Sequence, residues 1–150
     1  MPSLSRRSLL LSVLALAACG GGEPPPSRAR TPGGPAEINR LITRYAAEYD
    51  LPEELVHRVV RRESNYNPHV RNGPNLGLMQ IQAQTARTMG FRGSPEELFD
   101  ADTNLRYAVK YLRGAWIVAD GNHDRAIGFY QRGYYYDAKR RGLLRATGLG

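Results

Sequence analysis

A chain of 150 residues with 41% apolar and 23% charged side chains has the length of one folded domain, not two, and the composition of a globular rather than a wholly unstructured protein. Its 21 Lys and Arg against 14 Asp and Glu give a net charge of +7, which turns attention to anionic partners: nucleic acid, a membrane surface or an acidic polymer. One cysteine, Cys19, excludes an intrachain disulfide framework.

The first element in chain order is a targeting signal, residues 1–18. Arg6 and Arg7 precede an apolar run from Leu9 to Ala18, which is about half of the roughly 20 residues that span a bilayer. The run closes Leu16-Ala17-Ala18-Cys19-Gly20, which resembles the lipobox of bacterial lipoproteins, and this resemblance implies lipid on Cys19. An ordinary secretory signal with a nearby cysteine is the alternative, and the paired arginines leave the twin-arginine export route open. Residues 19–35 are rich in Gly and Pro and almost free of apolar side chains, so they bury too little surface to offset the entropy of ordering and read as a flexible linker.

Residues 36–150 read as a mainly α domain. Ile38, Leu41, Ile42, Tyr45 and Tyr49 form one helical stripe. Asp50-Leu51-Pro52-Glu53 predicts an N-cap and a second helix, which Pro68 ends near Asn65. A short helix is predicted from Gln82 to Met89, a turn at Ser94-Pro95-Glu96-Glu97, and a long helix capped by Asp102 or Thr103 that carries Leu105, Ala108, Val109, Leu112 and Trp116 on one face. A last helix is predicted from Asp124 to about Tyr136. No stretch shows a sustained period of two, and no internal repeat is present. Lys139, Arg140, Arg141 and Arg145 read as a solvated tail or as a contact with an anionic wall or membrane.

One residue departs from the pattern. With Leu55 at zero and about 100° per residue, Leu55, Val56, Val59 and Val60 average roughly 70° and Glu63 falls at about 80°, in the middle of the apolar face. Lost hydration and the negative end of the helix dipole both favour the protonated carboxyl, the form a general acid needs. A helix-end residue that snorkels out, or that pairs with Arg62 or with an arginine of another helix, is the structural alternative.

Glu63-Ser64-Asn65-Tyr66 is followed after ten residues by Gly77-Leu78-Met79-Gln80-Ile81, then by Thr85-Ala86-Arg87 and Gly90. With Leu98, Asp100, Asn104, Tyr111-Leu112, Ala126, Tyr130 and Gly133, this order resembles the soluble lytic transglycosylase family, the transglycosylase SLT domain, over residues 36–137. The resemblance implies a lysozyme-like fold and cleavage of the bond between N-acetylmuramic acid and N-acetylglucosamine in peptidoglycan, closing a 1,6-anhydro ring. It implies Glu63 as the sole acid and base, aided by the sugar's own 2-acetamido group, so no second carboxylate is required; Asp100 and Asp102 read as turn and cap residues. Gly77 is implied at a close approach to substrate, Met79 as a soft contact or as core, Gln80 as a partner of an N-acetyl group, and Tyr130 as a neighbour of the Glu63 carboxyl. Two departures stand out. Phe129-Tyr130-Gln131-Arg132-Gly133 replaces the family's usual Ala-Tyr-Asn-Ala-Gly, and the Arg71–Leu76 loop lacks the small Ser/Gly/Ala character usual just before the Gly-Leu-Met-Gln run.

The implied partners are peptidoglycan strands and a membrane reached through lipid on Cys19, with the chain a monomer on the periplasmic face of the outer membrane, or else periplasmic or secreted. Gly20 is compatible with outer-membrane sorting. His57, His69 and His123 lack metal-ligand spacing, so no metal or other cofactor is expected. No nucleic-acid recognition motif is present. The rival readings are a hydrolytic lysozyme-type muramidase and a catalytically inert peptidoglycan-binding lipoprotein.

Overall fold

The computed structural model describes residues 35–150; the predicted signal and Cys19, and all of the predicted linker except Pro35, lie outside the described residues. Seven α-helices, a 3₁₀ turn and a small sheet follow in order: α1 Pro35–Glu48, α2 Glu53–Ser64, β1 Arg71–Asn72, β2 Asn75–Leu76, β3 Ile81–Gln82, α3 Ala83–Thr88, the 3₁₀ turn Pro95–Phe99, α4 Ala101–Val118, α5 His123–Arg132, α6 Tyr135–Arg140 and α7 Leu144–Thr147.

α4 is the central element, packed against α1, α3, α5, α7 and the 3₁₀ turn. Leu105, Ala108, Val109, Leu112 and Ala115 on it are fully buried, and α1 and α2 answer with Ile38, Ile42, Tyr45, Leu55, Val56, Val59 and Val60. Each large side chain so buried contributes about 1.5–3 kcal/mol relative to an exposed one. α4 starts two or three residues earlier than predicted. Asp100, not Asp102 or Thr103, is its cap, accepting from the Thr103 amide at 2.9 Å and the Thr103 hydroxyl at 2.8 Å. Asp102 instead accepts from the Tyr45 hydroxyl at 2.9 Å and from Arg106 at 2.8 Å, tying α4 to α1. α2 likewise starts without a side-chain cap: Pro52 occupies the cap position, and Asp50 adopts φ +50° in the preceding turn.

Two further expectations are corrected. The segment after α2 pairs as a three-stranded antiparallel sheet, with Arg71 opposite Leu76 and Leu76 opposite Ile81. Strands of two residues are too short to leave an alternating pattern in the sequence. The single helix predicted from Asp124 to Tyr136 is two helices, divided where Gly133 takes φ +85°. The break turns Tyr134 back onto α4, where its ring fills the space left by Gly114; a Cβ there would meet the Tyr134 hydroxyl oxygen at 2.1 Å. That hydroxyl donates to the Tyr111 carbonyl at 2.8 Å.

Two of the four C-terminal basic residues are tied back to the domain. Arg141 donates to the Val118 carbonyl and to Asp120 at the C-terminal end of α4, Arg140 pairs with Asp137, and α7 packs on α4. Arg140 and Arg141 thus satisfy backbone and carboxylate acceptors of the domain itself, while Lys139 and Arg145 are exposed.

Candidate active site

The catalytic candidate sits in the last turn of α2. Glu63 is half-buried, whereas Val59 and Val60 on the same stripe are fully buried. The apolar stripe ends where the helix reaches a cleft, so the carboxyl emerges at its wall instead of inside the core. Asn65 closes the helix in the left-handed conformation (φ 49°, ψ 44°), and Tyr66 follows at φ +64°. Ser64 points the other way, buried, and its hydroxyl donates to the Leu78 carbonyl at 2.8 Å and the Val60 carbonyl at 3.2 Å. The Glu-Ser pair therefore divides its work: one side chain faces the cleft, and the other fastens the helix end to the Gly77–Gln80 segment.

Asn104 fixes that segment from below. Its amide is completely buried; Oδ1 accepts from the Met79 amide at 3.0 Å, and Nδ2 donates to the carbonyls of Leu76 at 2.9 Å and Leu98 at 2.8 Å. Gly77 is required by this arrangement. It has φ +72°, and a Cβ would come within 2.3 Å of both Asn104 Nδ2 and the Leu98 carbonyl oxygen. The close approach at Gly77 is thus to the protein's own Asn104 and Leu98. Met79 is also turned inward: its side chain is fully buried in the core, and only its backbone serves the site. Gln80 does line the cleft, at φ +50°, with Nε2 donating to the Val70 and Gly77 carbonyls, each at 3.0 Å. Its amide oxygen accepts no protein hydrogen bond among the described residues, which suits it to a donor such as an N-acetyl N–H.

α5 supplies the opposite wall. The Tyr130 hydroxyl donates to the Met79 carbonyl at 2.9 Å, not to the Glu63 carboxyl. Burial raises the Tyr130 phenol well above the usual tyrosine range, and the negative charge of Glu63 nearby raises it further. Tyr111 stands edge-on to Tyr130 with centroids 5.6 Å apart and packs on Tyr134 at 4.7 Å, and burial raises both of their phenols too. In the unfolded chain these three ionise near 10.0, whereas the folded domain holds their protons to higher pH. Their contribution to stability is therefore complete below pH 10 and is lost as pH rises toward the folded values, because the unfolded state then binds fewer protons. Urea midpoints should fall between about pH 8 and about pH 11; an unchanged midpoint would contradict the burial of these phenols.

Gln131, at the position where the family usually has Asn, reaches the carboxyl: its Nε2 donates to Glu63 Oε1 at 2.9 Å. A carboxamide offers a donor and an acceptor, so by turning over it can serve either protonation state of Glu63. The cleft has a volume of about 370 Å³ and is lined by Glu63, Gln80, Tyr111, Tyr130 and Gln131, with Asn75, Ile81, Gln82 and Thr85 on one side and Arg132 and Gly133 at the end of α5. Among the described residues Glu63 is the only carboxylate in it. The same residues hold no group of three His, Cys, Asp or Glu side chains placed for a metal ion, and no helix long and apolar enough to cross a membrane.

Ser64 and Asn104 carry positioning roles that no motif assigned. The signal for Asn104 was of the same kind as for Glu63: a polar side chain on the apolar face of a helix, beside Leu105 and Ala108.

Residues 40–143 match the family described as Transglycosylase SLT domain. Membrane-bound lytic murein transglycosylase E of Buchnera aphidicola subsp. Acyrthosiphon pisum (strain APS) is 34% identical over 82 residues, 49% of this chain and 37% of that protein. Soluble lytic murein transglycosylase of Escherichia coli (strain K12) is 33% identical over 86 residues, 53% of this chain and 13% of the relative. Membrane-bound lytic murein transglycosylase C of Yersinia pestis (strain Pestoides F) is 34% identical over 80 residues, 48% of this chain and 22% of the relative. The matches thus span well under half the length of these relatives. The crystal structure of the 70 kDa soluble lytic transglycosylase of Escherichia coli superimposes with a TM-score of 0.61 at 28% identity, over 75% of this chain and 19% of that one. The mainly helical, lysozyme-like fold is shared, and the family match extends across most of the described residues. The chain belongs to the transglycosylase SLT domain family.

Proposed function

We propose that this chain is a peptidoglycan lytic transglycosylase that cuts the β-1,4 bond between N-acetylmuramic acid and N-acetylglucosamine and leaves 1,6-anhydromuramoyl ends. The observation that carries this reading is the lone carboxylate of the cleft, Glu63, hydrogen-bonded by Gln131 and backed by the buried phenol of Tyr130. A single group must then act twice. Glu63 first donates its proton to the glycosidic oxygen as that bond breaks, while the muramoyl 2-acetamido oxygen stabilises the anomeric carbon in place of an enzyme nucleophile. Glu63, now ionised, takes the proton from the 6-hydroxyl, whose oxygen bonds to the anomeric carbon, and the carboxyl is restored without consuming water. Gln131 follows the proton by turning its amide, and Gln80 offers its carbonyl to an N-acetyl group.

Incubation of purified sacculi with the full chain tests the assignment. Release of soluble muropeptides is expected; binding to sacculi with no release favours the inert glycan-binding alternative and overturns the enzyme reading.

The N-terminal pattern and the relatives named membrane-bound support a second element of the proposal. Residues 1–18 direct export, lipid on Cys19 holds the chain to the periplasmic face of the outer membrane, residues 19–35 form the tether, and residues 36–150 are the catalytic domain, working as a monomer. Cys19→Ser is expected to move the protein from the membrane to the soluble fraction; retention in the membrane would rule out the lipid anchor.

A further inference from the structure

Among the described residues Arg132 is the only cation lining the cleft, and it stands immediately after the residue that hydrogen-bonds Glu63. Among the described residues it makes no ion pair. Its guanidinium lies over the Phe129 ring, with Cζ 4.2 Å from the centroid. Stacking of this kind holds the planar group in place and leaves its edge, with several N–H donors, free for a planar acceptor. Apart from Glu63, the other polar groups lining the cleft, Gln80, Gln82, Thr85 and Gln131 among them, are neutral and suit hydroxyl and acetamido groups. A sugar hydroxyl or acetamide gives a fixed cation no charge partner, whereas a carboxylate matches a guanidinium edge in both charge and shape. Peptidoglycan supplies carboxylates only through the lactyl ether of muramic acid: either the lactyl carboxylate itself or, once that is amidated, those of the attached peptide.

We propose that Arg132 forms a carboxylate subsite at the α5 end of the cleft and selects glycan whose muramoyl lactyl substituent is anionic. This rests on reading the cleft as a peptidoglycan site. The subsite follows directly on Gln131, which hydrogen-bonds Glu63 from the opposite wall, so it fixes which muramoyl unit enters the catalytic position. Phe129 and Arg132 act as a pair here, the ring holding the cation and the cation reading the substituent.

Titration calorimetry tests the subsite through binding. The full chain carrying Glu63→Gln, which prevents turnover, is titrated with three glycan fragments: peptide-bearing, peptide-bearing with every carboxylate amidated, and peptide-free with the lactyl carboxylate exposed. Peptide-bearing glycan is expected to bind about tenfold more tightly than its amidated form, the weight of one charge-assisted contact in a partly exposed site. Adding Arg132→Ala removes that difference, and Arg132→Lys keeps part of it because charge persists without the planar fork. Should the peptide-free fragment bind as tightly, and lose this in Arg132→Ala, the lactyl carboxylate is the one read; if it binds like the amidated form, the peptide carboxylates are. Equal affinity for charged and amidated fragments, or a difference that survives Arg132→Ala, overturns the proposal. Arg132 is exposed, so thermal melts of the variants serve as the folding control. Failure of the transglycosylase reading shows separately, as sacculi that yield no anhydro ends while carboxylate-dependent binding persists.

Discussion

Peptidoglycan turnover is expected to fall by about 10³-fold or more when Glu63 is replaced by Gln, because one group supplies both proton transfers and the variant can make neither. The substitution is isosteric. It retains an acceptor for the Gln131 amide, which now donates at 2.9 Å to Glu63 Oε1, and it leaves Ser64 and the rest of α2 untouched. The thermal midpoint should therefore stay within about 2 °C of the parent, as surface-accessible changes that break no network usually do. Glu63→Asp keeps the chemistry but draws the carboxyl back by one methylene, and displacement by about 1 Å is enough to cost on the order of 10²-fold. A well-folded Gln variant with activity within tenfold of the parent would remove Glu63 from the mechanism.

The second large effect is on stability. Asn104→Ala removes three hydrogen bonds at once and leaves the Met79 amide and the Leu76 and Leu98 carbonyls buried without those partners. A stranded buried polar group costs about 1–3 kcal/mol, and since the three share one side chain the loss is expected to be about 3 kcal/mol in total, with a midpoint lower by about 10 °C. Activity measured well below the new midpoint should fall as well. The Gly77–Gln80 segment, which Asn104 holds against α4 and the 3₁₀ turn, also receives Ser64 from α2 and Tyr130 from α5, so loosening it disturbs both walls of the cleft. Equilibrium urea unfolding measures the first effect. A loss below about 1 kcal/mol would mean that water or backbone rearrangement replaces the asparagine.

These two residues also mark how far the sequence could be read. Glu63 was visible because a carboxylate interrupts a stripe of Leu55, Val56, Val59 and Val60. Its exposure stayed one of two alternatives, since a helical wheel records direction and not where a neighbouring element stops. Asn104 carries the same kind of signal on α4, but a neutral amide is a weaker anomaly than a charge, and two of its three partners lie 25 and 28 residues upstream, beyond the reach of local pattern. The family motif marked Gly77, Met79 and Tyr130 as important positions, and the geometry gives each a different immediate reason. Gly77 makes room for Asn104, Met79 fills the core and lends its carbonyl, and Tyr130 donates to that carbonyl in place of the carboxyl. What the motif tracks at these three positions is the frame around Glu63.

α1, α2 and α4 followed from periodicity because each presents three or more turns to a single core, whereas α7, Leu144–Thr147, was not predicted because four residues hold no period. The small sheet escaped because two-residue strands hold no period, and the division of α5 from α6 escaped because Gly133 is a break only through its φ of +85°, which composition does not reveal. Arg141 looked solvated for the same reason: its acceptors, the Val118 carbonyl and Asp120, belong to the far end of α4. Gln131 is the opposite case. Its departure from the family's usual asparagine suggested a changed contact, and the extra methylene still brings the amide to Glu63 at hydrogen-bond distance.

The central claim is that Glu63 returns its proton relay through the sugar's own 6-hydroxyl and not through water. Digestion of sacculi in oxygen-18 water, followed by mass spectrometry of the released fragments, reads this directly. The account predicts 1,6-anhydromuramoyl ends, one water lighter than reducing ends, with no heavy oxygen incorporated at the cut. Reducing muramic acid ends that carry one heavy oxygen for each bond broken would contradict it and identify a hydrolytic muramidase on the same frame.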